Sequence, residues 1–287
     1  MLKGNVSLMS KSAKALFICV SLKQSTDRRE KVLNEIQKLR ECITDIKIDF
    51  EFFDGIYGKD LAPEYLSFIN IAREQAGQCK RPLGPGEIGC LLSHMFIWQR
   101  QIEGYYDSYN RVIILEDDVY LNKNKINEKL LDISQSTEDF IFLGGHTLQS
   151  RTRIHGYPSE NQLFFKMLGP SDLYTTTCAY SVTAKTAKLF LNKLISKPTY
   201  VDDWKYLLKY RFITPYYFCF EQGGKDDSNI NVDRLKNKNI KKPNRLRKNL
   251  NKILHDFIAR LKILITLRKS SSLASFLKDN KEDGYTD

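Results

Sequence analysis

The chain has 287 residues, of which 42% are hydrophobic and 28% are charged, as is ordinary for a soluble globular protein of one large or two small domains. No apolar run reaches the roughly 18 to 20 residues of a membrane span, which excludes an integral helical membrane protein. The six cysteines form no CxxC pair. Their spacing argues against a disulfide framework or a zinc site and favours a reducing compartment.

The net charge of +11 is concentrated near the C-terminus. The stretch from Arg234 to Lys269 contains 13 Lys and Arg but a single acid, Asp256. The rest of the chain is therefore close to neutral. We accordingly divide the chain into a body, residues 1–233, and a basic tail, residues 234–287.

Strands and helices alternate through the body, to judge from apolar runs of strand length and apolar residues at helical spacing. This alternation predicts an α/β fold with crossover connections. The nearly continuous apolar run Ala15–Leu22 is typical of a strand buried on both faces of a mainly parallel sheet. In chain order, we predict strands at Ala15–Leu22, Asp49–Phe53, Arg111–Val119, Phe140–Leu143 and Tyr174–Val182, and helices after Asp27, at Gly86–Gln101 and at Ala184–Ile195.

Three adjacent carboxylates, Glu116-Asp117-Asp118, directly follow the apolar run Val112–Leu115. They are expected at the carboxyl end of a buried strand, where open α/β sheets bind their ligands. Adjacent carboxylates repel one another unless a cation or hydrogen-bond donors neutralise them. A Mg²⁺ or Mn²⁺ ion could bind there together with a diphosphate and offset the charge of a leaving group. The alternative is an acidic turn exposed to solvent.

Six motifs, including this triplet, resemble those of glycosyltransferase family 25 in the same order. This family contains the bacterial lipooligosaccharide and lipopolysaccharide transferases, which are related to the collagen galactosyltransferases. The resemblance covers roughly residues 15–230. The motifs are Ser21–Arg29 (SLKQSTDRR), Phe53-Asp54-Gly55, Gly86–His94 (GEIGCLLSH), Ile114–Val119 (ILEDDV), Ala179-Tyr180 and Val201-Asp202.

The resemblance implies a GT-A-type nucleotide-diphosphosugar transferase fold with a mostly parallel central sheet. It makes Glu116-Asp117-Asp118 the DXD-like motif, with Asp118 as the principal metal contact and Glu116 on the metal, the ribose or a water. The cofactor would be Mn²⁺ or Mg²⁺, and the donor commonly UDP-galactose or, less often, another UDP-hexose. Ser21 stands where the family usually has Asn. Gly144-Gly145-His146 matches no motif of the family, so the resemblance does not determine which sugar is transferred.

Residues near the ends of the first two strands are candidates for nucleotide binding. Arg28 and Arg29 present forks of donors that suit phosphate or the uracil edge, and Ser21 lies in the same motif. The alternative for the arginines is a solvated first helical turn. Asp54-Gly55 could accept a hydrogen bond from a ribose hydroxyl, although Asp-Gly is also a common turn.

Glu87, Ser93 and His94 lie on one predicted helix, and the resemblance assigns Glu87 and His94 to donor binding. A lone histidine on an apolar helix is otherwise a packed, hydrogen-bonded core residue. Glu87 could equally cap the helix behind Pro85.

Asp202 is the first candidate for the base of an inverting transfer, and Asp203 the second. The alternative is an N-cap for a helix that starts near Trp204. Glu221, Gln222 and Ser228 could border the acceptor, although the polarity of an exposed loop explains them as well.

The tail carries an apolar stripe at helical spacing from Leu246 to Ile265, flanked by Lys and Arg. Phe257 is the single aromatic residue between Arg234 and Lys269, so nucleic acid is not the expected partner. A basic amphipathic helix of this kind suits an anionic membrane surface. The alternative is a helix whose stripe packs on the body.

We therefore expect a cytoplasmic, metal-dependent hexosyltransferase, peripheral on the inner face of the cell membrane. It would be an inverting galactosyltransferase of lipopolysaccharide biosynthesis that uses a UDP-sugar and a lipid-linked glycan acceptor. One alternative is a glucosyl- or N-acetylglucosaminyltransferase of the same family. The other is a non-catalytic binding protein that keeps the nucleotide-sugar fold and is held on the membrane by its tail.

Overall fold

A computed structural model describes residues 13–77, 81–122, 129–145, 154–160, 164–168, 174, 176–209, 213–223, 271–272 and 275. The amphipathic helix predicted in the tail, Ser228 and His146 lie outside the described residues. Among the helices that are described, none combines the length and the apolar character needed to cross a membrane.

Most predicted elements are present within two residues of their predicted ends. The strands are β1 (Lys14–Ser21), β2 (Lys47–Asp54), β3 (Arg111–Glu116), β4 (Val119–Leu121), β5 (Phe140–Gly144), β6 (His155–Pro158), β7 (Phe165–Leu168), β8 (Ala179–Val182), β9 (Ile213–Gln222) and β10 (Ser271–Ser272). The helices are α1 (Thr26–Cys42), α2 (Pro63–Gln75), α3 (Pro85–Ile102), α4 (Lys129–Gln135), α5 (Ala184–Ser196) and α6 (Trp204–Leu207), with a 3-10 turn at Gly58–Asp60.

Two predicted strands end earlier or begin later than expected. The prediction Arg111–Val119 divides into β3 and β4, because Asp117 and Asp118 form a turn between them. The prediction Tyr174–Val182 is too long, since β8 begins at Ala179. Thr176 has a positive φ of 75°, a left-handed conformation that a β-branched residue rarely adopts and that interrupts a strand.

The described strands form one sheet in the order β10-β6-β7-β9-β5-β8-β3-β1-β2, with β4 paired to β9. β1 runs parallel to β2 and β3, and β5 runs parallel to β9, whereas the other described pairs are antiparallel. The prediction of a mostly parallel sheet is therefore wrong. Each described antiparallel pair contains one strand of two to four residues, such as β6 or β7, and strands of this length are too short to show a periodicity in the sequence.

Both faces of the sheet are buried, which confirms the α/β class. The side chains of β1 alternate between two apolar clusters, with Leu16 and Ile18 in one and Phe17 and Cys19 in the other. Helices α3 and α5 contribute to the first cluster, and α1 and α4 contribute to the second. The sheet thus lies between two helical layers, and its interior strands have apolar side chains on both faces.

The parallel strands β2, β1 and β3 end at one edge of the sheet. In the register of these strands, Ser21 lies beside Asp54, and Val20 lies beside Glu116. The residues that follow each strand are therefore neighbours in space although they are far apart in sequence. Open α/β sheets bind their ligands at an edge of this kind.

We predict that Gly89→Ala destabilises the protein by about 1–3 kcal/mol, because α3 lies directly against the loop that follows β2. A Cβ atom on Gly89 would lie 2.3 Å from the carbonyl oxygen of Ile56 and 2.8 Å from the nitrogen of Gly58. Denaturant unfolding measures the change. Gly55→Ala is the matched control, since its Cβ would meet its nearest atoms at 3.4 Å. Equal stability of the two variants would contradict the prediction.

Candidate functional site

A cleft of about 400 Å³ opens at the carboxyl ends of β1 and β3. Its walls are the segment that follows β1, the loop and 3-10 turn that follow β2, the first half of α3, and the acidic triplet. Several residues predicted from the sequence therefore line one cavity: Ser21, Arg28, Gly55, Ser93, His94, Glu116, Asp117 and Asp118.

The carboxylate of Asp117 is bound on both oxygens by residues of the protein itself. Ser21 Oγ donates a hydrogen bond to Oδ2 over 2.8 Å, and Arg28 donates to Oδ1 over 2.9 Å. Asp117 and Arg28 are both largely buried. This arrangement joins the end of β3 to the end of β1 and the first turn of α1, and it compensates the charge of one of the three acids.

Asp118 differs from Asp117 because one of its oxygens has no partner among the described residues. Gln222 donates to Oδ2 over 3.3 Å, whereas Oδ1 is buried and accepts no hydrogen bond from this part of the chain. Burial raises the pKa of the Asp118 carboxyl. A buried carboxylate oxygen without a partner is costly, so this atom fits a cation or another donor that a ligand would bring.

Glu116 lines the same cleft as Asp118 and forms no ion pair among the described residues. Thr177 Oγ1 donates a hydrogen bond to Glu116 Oε1. Burial, and then repulsion by Asp118, raises the pKa of Glu116 to about 8, and the charge of Asp202 also contributes. The oxygens of Glu116 and Asp118 are hard ligands of the kind that Mg²⁺ and Mn²⁺ prefer, so the donor set fits a divalent ion.

Arg29 and Asp54 form an ion pair with an N–O distance of 2.5 Å, and neither lines the cleft. Arg29 also donates to the carbonyl oxygen of Ser21 over 2.9 Å and lies over the ring of Phe52. The hydrogen bond from Arg29 lowers the pKa of Asp54. Both residues are predicted nucleotide-binding residues, and in the structure they link the ends of β1 and β2 outside the cleft lining.

The structure places Glu87 at the start of α3, beside Gly86, which lines the cleft, but Glu87 itself does not line it. Its two oxygens accept hydrogen bonds from Arg81 over 2.6 and 2.7 Å, and Oε2 also accepts from the nitrogen of Gly84 over 3.0 Å. Glu87 thus caps the helix, which was one of the two sequence interpretations. Ser93 fixes the loop after β2, because its Oγ accepts from the nitrogen of Ile56 over 2.8 Å.

His94 is fully buried at the cleft wall and belongs to a chain of aromatic hydrogen bonds. Its Nδ1 lies 2.8 Å from the hydroxyl of Tyr180, which accepts from Trp98 Nε1 over 2.9 Å. Burial lowers the pKa of His94 to about 3, so the ring is neutral at physiological pH. Its Nε2 is buried and has no hydrogen-bond partner among the described residues. A ring nitrogen of His94 lies within 4.8 Å of Cys90 Sγ and of a Glu116 carboxylate oxygen.

Of the two candidate bases, Asp203 is engaged as a helix cap. Its Oδ1 accepts from the nitrogen of Tyr206 over 3.2 Å, and its Oδ2 accepts from Thr199 Oγ1 over 2.9 Å. The alternative interpretation, an N-cap before Trp204, thus applies to Asp203. Asp202 lies close enough to Glu116 for its charge to affect that carboxyl.

Several site residues were missed from the sequence, and Lys59 and Thr177 are two with polar side chains. Lys59, in the 3-10 turn, lines the cleft, and Thr177 binds Glu116. Lys59 follows Phe53-Asp54-Gly55 by only four residues, so a basic residue just after that motif was an available signal. Thr177 gave none, because its position depends on the pairing of β8 with β3. Of the acceptor candidates, Gln222 contacts Asp118, and Glu221 accepts from Asn122 over 3.2 Å.

The sequence matches the model of "Glycosyltransferase family 25 (LPS biosynthesis protein)" over residues 15–204. A candidate glycosyltransferase of Haemophilus influenzae is 31% identical over 62% of this chain and 57% of that protein. Procollagen galactosyltransferase 1-B of Xenopus laevis is 28% identical over 64% of this chain and 29% of that protein. Procollagen galactosyltransferase 2 of Homo sapiens is 28% identical over 50% of this chain and 23% of that protein. The chain thus spans little more than half the length of the bacterial relative and less than a third of the other two.

Among solved structures, one similar chain is a glycosyltransferase involved in the glycosylation of the major capsid of PBCV-1. The match covers 78% of this chain and 98% of that chain, with a TM-score of 0.37 and 11% identity. Likeness at this level is too remote to carry an argument about fold or function.

Proposed function

This chain belongs to glycosyltransferase family 25, and from this premise we propose that it is an inverting hexosyltransferase that uses a UDP-sugar. Galactose is the proposed sugar, because procollagen galactosyltransferases are among the relatives. A lipooligosaccharide or lipopolysaccharide is the proposed acceptor, because the family description names LPS biosynthesis. A glucosyl- or N-acetylglucosaminyltransferase of the same family is the alternative.

The observation that carries this proposal is the buried, unpartnered Oδ1 of Asp118 beside Glu116 in the cleft. Both side chains would hold Mn²⁺ or Mg²⁺, with Asp118 as the principal ligand. When bound, such an ion would supply positive charge to the diphosphate of the donor. The protein compensates Asp117 by itself, which leaves the other two acids for the ligand.

Arg28, Ser21 and Gly55 are proposed to bind the nucleotide diphosphate of the donor, since all three line the cleft. Arg28 presents five donors, of which Asp117 takes one, so others stay available for phosphate oxygens. Arg29 and Asp54 would act indirectly, by holding the ends of β1 and β2 together at the cleft rim.

Asp202 is proposed as the base that takes the proton of the acceptor hydroxyl as this hydroxyl attacks the anomeric carbon. Its electrostatic influence on Glu116 supports a position near the donor site. Asp203 is the weaker candidate, because both of its oxygens accept hydrogen bonds within its own segment.

The basic tail is proposed to hold the enzyme on the inner face of the cell membrane. Its 13 cations between Arg234 and Lys269 flank an apolar stripe. Each cation near an anionic surface contributes about 1 kcal/mol, and burial of the stripe adds to this. Such an enzyme would act from the cytoplasm on a lipid-linked glycan.

We predict that Asp118→Ala lowers metal-dependent release of UDP from UDP-galactose by at least about a hundredfold, because the principal metal ligand is lost. UDP release is measured with and without Mn²⁺ and acceptor glycan. Asp45→Ala, at an exposed loop position, is the matched control and should keep wild-type turnover. Unchanged turnover in Asp118→Ala would contradict the metal role. A wild-type protein that releases no UDP from any UDP-sugar would favour the non-catalytic binding protein.

We predict that Asp202→Asn lowers kcat by about 10²–10⁴-fold with little change in stability, because an amide cannot accept the proton. Asp203→Asn is the matched control, since Asn caps helices as well as Asp does. This control should keep kcat within the same order of magnitude. The steady-state rate and the thermal unfolding of both variants are measured together. Retained kcat in a folded Asp202→Asn variant would remove this residue from the base role.

We predict that a variant lacking residues 234–269 no longer floats with vesicles rich in anionic lipid, whereas the full chain does. Vesicle flotation at low and at high salt measures the binding, and screening by salt should weaken it. UDP release in solution serves as the folding control. Flotation of the shortened variant at the wild-type level would contradict the membrane role of the tail.

A further inference from the structure

The hydrogen bonds around Tyr180 determine which nitrogen of His94 carries the proton. The indole nitrogen of Trp98 can only donate, so the Tyr180 oxygen accepts from it. Among the described residues, the hydroxyl proton of Tyr180 then has one acceptor within reach, His94 Nδ1 at 2.8 Å. Nδ1 is therefore unprotonated, and the proton of the neutral ring lies on Nε2.

His94 consequently carries a buried N–H donor that no group in the described part of the chain satisfies. Nε2 has no hydrogen-bond partner there, and the residue is 0% exposed. His94 lines the cleft together with Glu116, and a ring nitrogen of His94 lies within 4.8 Å of a Glu116 carboxylate oxygen. A buried donor of this kind is costly in the free protein, so it points to a group that a ligand brings.

A single hydroxyl group between His94 and Glu116 fits this arrangement. A hydroxyl oxygen that accepts one hydrogen bond and donates another, each about 2.8 Å long and at a tetrahedral angle, separates its two partners by about 4.6 Å. A ring nitrogen of His94 lies within 4.8 Å of the Glu116 oxygen, so the two side chains are close enough to bind one hydroxyl together. The proposed cation would favour the ionised form of Glu116, and an ionised carboxylate accepts up to about four hydrogen bonds, so Thr177 leaves room on Glu116 for this contact.

We propose that His94 and Glu116 together bind one hydroxyl group of the transferred hexose, with Nε2–H donating to that hydroxyl and the Glu116 carboxylate accepting from it. This inference rests on the proposed function, since the hexose is that of the UDP-sugar. It makes the pair a determinant of sugar specificity. A site built to hydrogen-bond a hydroxyl discriminates strongly against a sugar that lacks it.

A soft divalent ion bound by Cys90, His94 and Glu116 is the competing explanation of the same three groups. Metal binding at Nε2 would require that nitrogen to be unprotonated, and the proton would move to Nδ1. Nδ1–H would then face the Tyr180 oxygen, and the hydroxyl proton of Tyr180 would lose its acceptor. The existing hydrogen bonds therefore favour a hydroxyl over a metal ion.

The test compares the binding of UDP with that of UDP-galactose, UDP-glucose and UDP-N-acetylglucosamine by titration calorimetry. His94→Leu removes the donor, whereas His94→Gln places an amide N–H near the position of Nε2. We expect His94→Leu to lower the affinity for the tightest-binding UDP-sugar by about tenfold to a hundredfold and to leave the affinity for UDP unchanged. We expect His94→Gln to recover part of the loss. The monodeoxy analogue that lacks the hydroxyl bound by His94 should bind the wild type and His94→Leu with equal affinity.

Three results would overturn the proposal. The first is equal UDP-sugar affinity of the wild type and a folded His94→Leu variant, which leaves the proposed function intact. The second is uptake of one Zn²⁺ per chain that both His94→Leu and Cys90→Ser abolish. The third is a ¹⁵N imidazole spectrum of the wild type that shows protonated Nδ1, a measurement that needs no variant to fold. A wild type that binds neither UDP nor any UDP-sugar would overturn the proposed function as well.

Discussion

Negative charge at the end of β3 exceeds what the protein itself neutralises. Arg28 and Ser21 bind both oxygens of Asp117. Glu116 accepts a hydrogen bond from the hydroxyl of Thr177, and one buried oxygen of Asp118 has no partner among the described residues. Burial, and then repulsion by Asp118, raises the pKa of Glu116, so the ionised form of this carboxyl costs free energy in the free protein. A ligand that carries a cation removes this repulsion when it binds. The free energy thus released contributes to the affinity of the ligand.

The fold keeps this charge in place through three parallel strands and one closely packed helix. β1 is bonded to β2 and β3 along its length, so the carboxyl ends of the three strands cannot separate independently. The ion pair between Arg29 and Asp54 links two of these ends. On the other side of the cleft, Gly89 lets α3 approach the backbone after β2. Repulsion within the triplet is thus resisted by backbone pairing rather than by flexible side chains.

Sequence reasoning located β1, β2, β3 and the acidic triplet, because long apolar runs are typical of strands buried on both faces, as at Ala15–Leu22. It missed the short strands β4, β6, β7 and β10, which show no period, and also the ten-residue strand β9. It placed the start of β8 too early, because Thr176 leaves the extended conformation. In the site, the type of each residue indicated its charge, but it did not indicate which residue would form an ion pair with it. Arg29 and Glu87 satisfy Asp54 and Arg81 within the protein, and only the tertiary pairing shows this.

The cleft therefore has two halves of different chemistry. On the side of α1 and β3, charged groups such as Arg28 and Asp118 suit a diphosphate and its cation. On the side of α3, burial keeps His94 neutral, and Tyr180 fixes the direction of its donor. A protonated histidine there would attract the acidic triplet and compete with a cation for it. A neutral ring avoids this competition. The charged groups can then bind the diphosphate, which all nucleotide-sugar donors share, and the N–H of His94 can distinguish one sugar from another by a directed hydrogen bond.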